Sequence, residues 1–343
     1  MESRAESKEP FRFSRFLSGL EEGFPVPELP EVETIVRSLR GTLKNITFEG
    51  LSVSLGKCLE SPRSLIPLCL LGKKILGVER RGKHILLRIS GGTTLRVHLG
   101  MTGRLQFVPR HTPLEKHTHI VFSFKKHSFE LRFTDSRQFG RIWIERNRGG
   151  GNLSSLADLG PEPFEISAEA FASRARSRHR AVKALLLDQR FLAGVGNIYA
   201  DEALHRARIH PQRRSDSLRN QSLLNLHKAL QGVLQEAIRH GGTSVRTYVD
   251  GRGRAGGFQH FLSVYGREGS PCMACGTRIV RKTIAGRSSY FCPQCQRSPR
   301  PIRGSGRRCG NPGARGKALR DSTGQDSGLS TVRSAKASDL LGS

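Results

Sequence analysis

The segment Cys272–Cys295, CMACGTRIVRKTIAGRSSYFCPQC, holds two Cys-x2-Cys pairs separated by 16 residues. Four thiolates at this spacing are typical of a structural Zn²⁺ site, in which two tight turns each supply two ligands. Between the pairs, Arg278–Lys282 and Ser288–Phe291 read as two strands joined by a turn at Ala285–Arg287. The segment therefore predicts a β-hairpin held by one zinc ion, with Arg287 near its tip.

The predicted zinc ligands are Cys272, Cys275, Cys292 and Cys295. Because all four ligands come from the protein, the zinc should be structural and not catalytic. Disulfides or inert core cysteines are the alternative interpretation. The other three cysteines, Cys58, Cys69 and Cys309, fall outside the pattern and are expected to be ordinary thiols.

The composition favours an anionic partner in a reducing compartment. The 343 residues include 57 Lys and Arg against 29 Asp and Glu, a net charge of +28. Charge alone does not separate nucleic acid from an acidic membrane surface, but it favours nucleic acid and argues against an ordinary metabolic enzyme. Seven cysteines, an odd number, disfavour a disulfide scaffold. The chain has no run of about 18 apolar residues and no signal peptide, so neither membrane insertion nor secretion is expected.

Upstream of the hairpin, the sequence divides into a helical half and a β-rich half. Helical periodicity predicts helices at Ala168–Ser177, Ala181–Gln189, Ile198–Arg208 and Leu218–His240. Strand-like runs occur at Lys74–Glu79, His84–Ile89, Thr93–Leu99, His119–Phe124, Phe129–Phe133 and Arg141–Glu145. A helix should precede them, because Pro30 and the acidic Glu31 and Glu33 mark a helix start. The fold class is therefore α+β, with an antiparallel β-sandwich flanked by the first helix.

These patterns give five predicted segments. They are an unstructured extension at 1–26, a β-sandwich domain at 27–150, a helical domain at 151–265, a zinc hairpin at 266–297 and a basic tail at 298–343. Arg146–Asn152, RNRGGGN, is the predicted hinge between the two large domains, and Leu159–Pro163, LGPEP, closes it. The tail has too few apolar residues to fold alone.

The segment Pro27–Thr34, PELPEVET, together with the four-cysteine hairpin, closely resembles the formamidopyrimidine-DNA glycosylase family of bacterial repair enzymes. Further segments match that family in order: RRGKHILL at Arg80–Leu87, HLGMTGRL at His98–Leu105, EKHTH at Glu115–His119, TDSRQFG at Thr134–Gly140, GVGNIYADE at Gly194–Glu202 and VYGR at Val264–Arg267. The resemblance implies a β-sandwich, a helix-two-turn-helix module and a zinc finger. It also implies excision of damaged bases from double-stranded DNA by a cytoplasmic, nucleoid-associated bacterial monomer.

By this resemblance, Pro27 is the nucleophile. A free terminal proline is a secondary amine that can attack a sugar C1′ and form an iminium, whereas an internal proline nitrogen is an amide without a usable lone pair. The chain with 26 residues ahead of Pro27 should therefore be inactive. Val26 offers an explanation if it represents a GUG start codon, so that methionine initiates there and is removed. Proteolytic processing and an inactive extended form are the alternatives.

The resemblance assigns further roles. Glu28 handles protons, Lys83 contacts phosphate and assists β-elimination, and Arg287 grips phosphates beside the lesion and supports δ-elimination. Met101, Arg137 and Phe139 fill the hole left by the flipped base. Ser136 and Gln138 depart from the commoner family pattern in this loop. The positions expected to contact DNA are His117, Arg178, Lys183 and Asn197, and Gly194–Asn197 is expected to place backbone N–H groups on a phosphate at a helix N terminus.

The substrate expected from the resemblance is an oxidised purine such as 8-oxoguanine or a formamidopyrimidine. The Gly-rich segment Asp250–Gly257, DGRGRAGG, within Thr243–Gln259, resembles a lesion-capping loop and is expected to be mobile enough to close over a bicyclic base. A plain flexible connector is the alternative. Two other functions stay open. One is an endonuclease VIII-like glycosylase for oxidised pyrimidines, and the other is a non-catalytic DNA-binding zinc protein if the extension is retained.

Overall fold

The computed structural model describes residues 26–146, 153, 156–245 and 247–298. The extension before residue 26, the hinge residues 147–152 and the tail after residue 298, with Cys309, lie outside these ranges. Among the helices in the described part of the chain, none is long and apolar enough to cross a membrane.

The first helix, α1, spans Leu29–Leu43 and begins with Pro30 in its first turn, as predicted. It is shared between two hydrophobic cores. Leu29 packs in the core of the helical half, whereas Val32 and Leu39 pack in the core of the β-sandwich. The N terminus of α1 is thereby fixed where the two halves of the molecule meet.

Two four-stranded antiparallel sheets form the predicted sandwich. The strand order is β1-β6-β7-β5 in one sheet and β2-β3-β4-β8 in the other. The strands are β1 Phe48–Val53, β2 Ile75–Arg81, β3 His84–Ile89, β4 Thr93–His98, β5 Arg104–Pro109, β6 Thr118–Phe124, β7 Phe129–Thr134 and β8 Arg141–Arg146. Side chains from both sheets, including Leu87 and Phe122, share one core.

Two of these strands, β1 and β5, and a short helix, α2 at Leu65–Cys69, are absent from the sequence-based prediction. In β1 the register shifts between Phe48 and Gly50, so a bulge with a glycine interrupts the alternation that would reveal a strand. Strand β5 lies at a sheet edge and ends at Pro109. An edge strand is buried less regularly than a central one, which weakens its pattern.

Within the described residues of the second half, four α-helices lie within a few residues of their predicted positions. They are α3 Ala168–Arg176, α4 Val182–Leu187, α5 Asn197–Arg206 and α6 Asn220–Arg239. The Oγ of Ser167 caps α3 by accepting the N–H of Ala170 at 3.1 Å. Helices α5 and α6 pack together around buried residues such as Tyr199 and Leu230.

The zinc hairpin consists of β9, Val280–Ile284, and β10, Arg287–Phe291. Its turn residues Ala285 and Gly286 have φ angles of 50° and 73°, which is the left-handed pair required by a two-residue I′ turn. Strand β9 begins two residues later than predicted. Strand β10 packs against α5, so the hairpin tip lies beside the N-terminal end of that helix.

Candidate active site

Pro27 and Glu28 lie at the start of α1, where the two cores meet. Pro27 is buried and lines a pocket together with Met101 and Thr243. The backbone N–H of Glu28 donates to Oε2 of Glu31 at 2.9 Å, which fixes the first turn of the helix. This arrangement leaves the Glu28 side chain directed at the helical half of the molecule.

The Glu28 carboxylate occupies the N terminus of α5. Its oxygens accept hydrogen bonds from the N–H groups of Gly196 at 2.7 Å and Ile198 at 2.9 Å. Position 196 requires glycine, because an added Cβ would lie 2.3 Å from Cδ of Glu28. A carboxylate of the protein therefore takes the positive end of this helix, and the predicted contact of the Gly194–Asn197 turn with a DNA phosphate stays a prediction.

The surroundings of Glu28 shift the pKa of its carboxyl group into a range that suits proton transfer. Burial raises the pKa of Glu28 to about 7, because the carboxylate loses its hydration, and this exceeds the opposing effect of the Lys83 charge. The nearby Glu31 carboxylate adds to the rise, whereas the hydrogen bond from Ile198 reduces it. A carboxyl group with a pKa near neutrality exchanges protons readily at physiological pH.

Glu31 joins α1 to the segment that follows α6. Its carboxylate accepts hydrogen bonds from the Tyr199 hydroxyl and from the N–H of Thr243, the latter at 2.7 Å. The Tyr199 hydroxyl also lies 2.9 Å from Oγ1 of Thr243. Burial raises the pKa of Glu31, as it does for Glu28. In the sequence, Glu31 reads only as a helix-start signal, and no local pattern indicates this link.

Lys83 lies in the two-residue turn between β2 and β3. Burial lowers the pKa of its ammonium group. The charges of Glu28 and Glu31 oppose this effect, and that of Arg287 adds to it. Lys83 therefore interacts with the α1 carboxylates and with the arginine at the hairpin tip. Glu28, Lys83 and Arg287 are thus close enough to interact, although they are far apart in the sequence.

Glu162, which sequence analysis missed, holds the Lys83 turn in place. Its carboxylate accepts the N–H of Gly82 at 2.7 Å and contacts the guanidinium groups of Arg80 at 2.6 Å and Arg81 at 3.2 Å. The Glu162 side chain is buried, so these bonds are protected from water. The LGPEP segment that reads as a simple loop is thus a support for the active-site turn.

Asp135 organises the two loops that carry the predicted void fillers. Its carboxylate accepts N–H groups from Gly140 at 2.7 Å and Arg137 at 3.2 Å, and also the hydroxyl of Thr102. The side chain is completely buried. Asp135 lies within the TDSRQFG motif, but nothing in its spacing reveals that it also holds the loop around Thr102.

Met101, Arg137 and Phe139 come together at this surface. The Arg137 guanidinium carbon lies 5.1 Å from the centre of the Phe139 ring. Phe139 is 51% exposed, which is unusual for a phenylalanine, and Met101 lines the Pro27 pocket. The loops touch closely: a Cβ at Gly100 would lie 2.6 Å from the Phe139 carbonyl carbon. The geometry is compatible with insertion of these side chains into DNA.

Two of the predicted DNA contacts, His117 and Arg178, are exposed. The carbonyl of His117 accepts the N–H of Asp135 at 3.0 Å, which places this histidine beside the void-filling loop. Arg178 follows α3, and its carbonyl accepts the hydroxyl of Ser215 at 2.6 Å. Both side chains face solvent, and their contact with DNA stays a prediction.

Lys183 is completely buried and bonded to protein groups, and its predicted contact with DNA stays a prediction. Its Nζ lies 2.8 Å from Oδ1 of Asp201 and donates to the Ser288 carbonyl at 2.8 Å. Asn197 donates from Nδ2 to the same carbonyl at 2.9 Å. Both residues therefore fasten strand β10 to the helical half, in a place where a phosphate would have to displace protein groups.

The four predicted zinc ligands converge. All four Sγ atoms lie within 4.8 Å of one another, and the shorter separations run from 3.4 to 3.9 Å. A tetrahedral zinc with Zn–S bonds of about 2.3 Å needs Sγ atoms about 3.8 Å apart. The four cysteines fit one structural zinc ion. Arg287 is exposed at the start of β10, beyond this site.

The Gly-rich segment Asp250–Gly257 is hydrogen-bonded to helix α1 and to strand β5 of the sandwich. Gly251 donates its N–H to Oγ of Ser38 in α1 at 2.9 Å, and its carbonyl accepts the N–H of Phe107 in β5 at 2.8 Å. Asp250 caps the turn by accepting the N–H of Arg252 at 2.8 Å. The part that lines the Pro27 pocket is instead the preceding stretch, which contributes Thr243, Val245, Thr247 and Tyr248.

Comparison with known protein families gives three consecutive matches. Residues 26–142 match the formamidopyrimidine-DNA glycosylase N-terminal domain. Residues 159–249 match the formamidopyrimidine-DNA glycosylase H2TH domain, and residues 269–297 match the zinc finger found in FPG and IleRS. The first match begins at the residue before Pro27. The matched regions contain the pocket, the helix α5 and the four cysteines.

Individual relatives agree. The formamidopyrimidine-DNA glycosylase of Pelotomaculum thermopropionicum is 47% identical over 275 residues, covering 79% of this chain and 99% of that protein. That of Desulforamulus reducens is 46% identical, covering 80% of this chain and 100% of the relative. A mutant of Lactococcus lactis FPG in complex with a Fapy-dG containing DNA has a TM-score of 0.73 at 33% identity, covering 79% of this chain and all of that one. The chain belongs to the formamidopyrimidine-DNA glycosylase family.

Proposed function

We propose that this protein is a bifunctional DNA glycosylase and abasic-site lyase that removes oxidised purines from double-stranded DNA. The observation that carries the proposal is that Pro27, which lines the pocket, is followed directly in the chain by Glu28, whose pKa is raised to about 7. A secondary amine next to a carboxyl group of this pKa is suited to attack on a sugar carbon with proton transfer to the departing base.

The chemistry requires a free amine at Pro27. Its nitrogen would attack C1′ of the damaged nucleotide while the glycosidic bond breaks and the base leaves. Loss of the proton from the proline nitrogen and protonation of O4′ then break the C1′–O4′ bond, which opens the sugar and leaves an iminium between the proline nitrogen and C1′. The iminium makes the C2′ proton acidic, and its removal expels the 3′ phosphate in β-elimination. A second elimination releases the 5′ phosphate. Glu28, the residue next to Pro27, is the group that supplies and accepts protons in these steps.

Lys83 and Arg287 support the eliminations. The charge of Arg287 helps to lower the pKa of Lys83, so the two cations lie close enough to interact. Two cations held close together bind a phosphate strongly, because the anion relieves their mutual repulsion. We infer that they grip the phosphates beside the lesion, which become the leaving groups.

Met101, Arg137 and Phe139 are proposed to hold the flipped-out state. Removing a base from the stack leaves a void, and an exposed aromatic side chain on a rigid loop can fill it. The buried Asp135 carboxylate supplies that rigidity. His117 and Arg178 are proposed to contact the DNA backbone beside this site.

The preference for oxidised purines follows from the family. The solved relatives include the Lactococcus lactis protein with Fapy-dG containing DNA and MutM with carbocyclic 8-oxo-G containing DNA, the latter at 32% identity and a TM-score of 0.72. An endonuclease VIII-like preference for pyrimidines is the competing possibility. Single-turnover excision from 8-oxoguanine and thymine-glycol duplexes, measured side by side, decides between them, and faster removal of thymine glycol would contradict the proposal.

The active form is proposed to begin at Pro27. The family match starts at residue 26. Two relatives match over 99% and 100% of their own length, but these matches cover only 79% and 80% of this chain. A chain expressed from a methionine placed directly before Pro27 should cleave lesion DNA and be trapped on it by borohydride. The 343-residue chain, checked by intact mass, should not be trapped, and equal trapping would refute the requirement for a free amine.

The setting that fits this activity is the bacterial cytoplasm, where the protein would act as a monomer on nucleoid DNA. The net charge of +28 favours close association with a polyanion. The zinc ion is structural, because four cysteine ligands fill its tetrahedral coordination and leave no position for substrate.

A further inference from the structure

Both ends of helix α5 contact the zinc hairpin. At the N-terminal end, Asn197 donates to the Ser288 carbonyl at 2.9 Å, and one turn later Asp201 accepts the N–H of Tyr290 at 2.9 Å. At the C-terminal end, His205 reaches the first zinc ligand. The helix therefore spans from strand β10 to the metal site itself.

The His205 contact has the geometry of a hydrogen bond to a metal-bound thiolate. Its Nε2 lies 3.6 Å from Sγ of Cys272. Sulfur is larger than oxygen, so an N–H···S bond is longer than the roughly 2.9 Å of an N–H···O bond. Cys272 is only 3% exposed, which means that protein groups and not water must satisfy its sulfur. The ring tautomer with hydrogen on Nε2 is the one that donates.

The electrostatics of the site favour such a donor. Zinc with four thiolates carries a formal charge of about −2, and a charge held away from water needs compensating donors or cations. The buried Arg267 interacts electrostatically with Cys272 and donates to the Ser263 carbonyl at 2.9 Å. His205 approaches the same sulfur from α5. These groups surround the buried ligand, whereas Cys275 is exposed to solvent.

We propose that His205 is a positioning residue of the zinc site, which donates a hydrogen bond from Nε2 to the Cys272 thiolate and so ties α5 to the metal. Such a partner orients the ligand and reduces the negative charge on sulfur. Because the other end of α5 holds β10 through Asn197, the bond makes the placement of the hairpin on α5 depend on the metal.

The proposal is tested on the zinc-loaded protein by metal affinity and by NMR. The variant His205→Phe keeps a ring at this position but removes the donor, and His205→Gln restores a side-chain N–H. In competition with a chromogenic chelator, His205→Phe should bind zinc about tenfold more weakly than the wild type, and His205→Gln should recover part of the loss. His111→Phe, an exposed histidine in the β5–β6 loop, is the matched control and should bind zinc like the wild type.

NMR detects the bond directly. In wild-type protein loaded with an NMR-active cadmium isotope, the proton on Nε2 of His205 should show scalar coupling to the metal through sulfur. Absence of that coupling overturns the proposal whatever the affinities are. Zinc affinity of His205→Phe within twofold of the wild type overturns it as well. Neither readout depends on glycosylase activity, so the result stands apart from the proposed function.

Discussion

Lys183 and Asp201 form an ion pair whose side chains are both 0% exposed, with Nζ 2.8 Å from Oδ1. Around it, the Ser288 carbonyl accepts from Lys183, and the second Asp201 oxygen accepts the N–H of Tyr290. Burial lowers the pKa of Lys183 and raises that of Asp201 to about 7, and each charge opposes the shift of the other. The pair thus holds the strand that begins with Arg287 against α4 and α5.

Breaking this pair should destabilise the protein more than removing both charges. Asp201→Asn leaves a buried ammonium without its counter-charge and should lower the free energy of unfolding by about 3 kcal/mol. The double variant Lys183→Met with Asp201→Asn should regain much of that loss, because no buried charge is left and the amide still accepts from Tyr290. Urea unfolding measures both. Asp158→Asn, in an exposed pair with Arg190, is the control and should leave the midpoint unchanged.

Salt dependence distinguishes a structural lysine from a DNA contact. Each phosphate contact contributes about 0.9 to the slope of log affinity against log salt. We expect the Lys183→Met, Asp201→Asn double variant to keep the wild-type slope on lesion DNA, because the buried ammonium meets no phosphate. Arg178→Ala, which removes an exposed cation, should reduce the slope by about 0.9. A reduced slope in the double variant would restore Lys183 to the DNA interface.

Local sequence patterns were enough to predict the elements that bear most of the chemistry. The cysteine spacing identified the metal site, and the Pro30 and Glu31 signals placed the start of α1. The missed elements have physical reasons. The bulge at Gly50 breaks the alternation of β1, and Pro109 ends a strand at a sheet edge.

The protein partners that local patterns did not reveal lie far apart in the sequence. Lys183 bonds to a carbonyl 105 positions away, and Glu28 bonds to an N–H 168 positions away. A lysine in a basic segment and a glycine before a helix carry no local mark that distinguishes a protein partner from a phosphate. The tertiary fold decides this, because it brings a carboxylate to each of them first.

Glu28 should make the stability of the protein depend on pH. Its folded pKa of about 7 lies above the ordinary value of 4.5, so the folded chain holds this proton more tightly than the unfolded chain. The stabilisation is present in full below pH 4.5 and is lost as the pH rises to about 7, by about 3 kcal/mol in total. Glu28→Gln should reduce this decline in urea unfolding curves by the Glu28 share, and Asp201 and Glu31, whose pKa values are also raised, account for the rest.

Glu33→Gln is the control for that titration. Burial raises the pKa of Glu33, but the hydrogen bonds from Arg37 and Arg80 outweigh it and lower the pKa overall. Its contribution is therefore present above its ordinary pKa and lost as the pH falls, the opposite sign. The control should keep the decline toward neutral pH. A decline of wild-type size in Glu28→Gln would show that other groups account for all of it.

Phe139 should matter for base extrusion and little for the later chemistry. Phe139→Ala should slow excision of 8-oxoguanine while leaving the nicking of a preformed abasic site nearly intact, because an abasic site has no base to extrude. Single-turnover rates on the two substrates measure this. Leu68→Ala, at a residue of α2 that is 62% exposed, should change neither rate. Equal losses on both substrates in Phe139→Ala would point to a general binding defect.

The anchor at Gly251 should control the segment that lines the pocket. A Cβ at this position would lie 2.6 Å from Cγ of Leu39 and 2.7 Å from Oγ of Ser38, so Gly251→Ala must push the turn away from α1. The overpacking should cost about 1–3 kcal/mol of stability. It should also displace Val245 and Thr247 from the pocket, because the stretch that carries them ends at this anchor.

We therefore expect Gly251→Ala to slow 8-oxoguanine excision about tenfold or more, since small displacements of substrate-positioning groups have effects of this size. Nicking at a preformed abasic site should change much less, because no base has to be held in the pocket. Gly77→Ala, where a Cβ would meet nothing within 4 Å, is the matched control and should leave both rates unchanged. If Gly251→Ala excises 8-oxoguanine at the wild-type rate, the anchored turn is only a connector. The stretch that lines the pocket is then positioned by its other end, where the N–H of Thr243 bonds to Glu31.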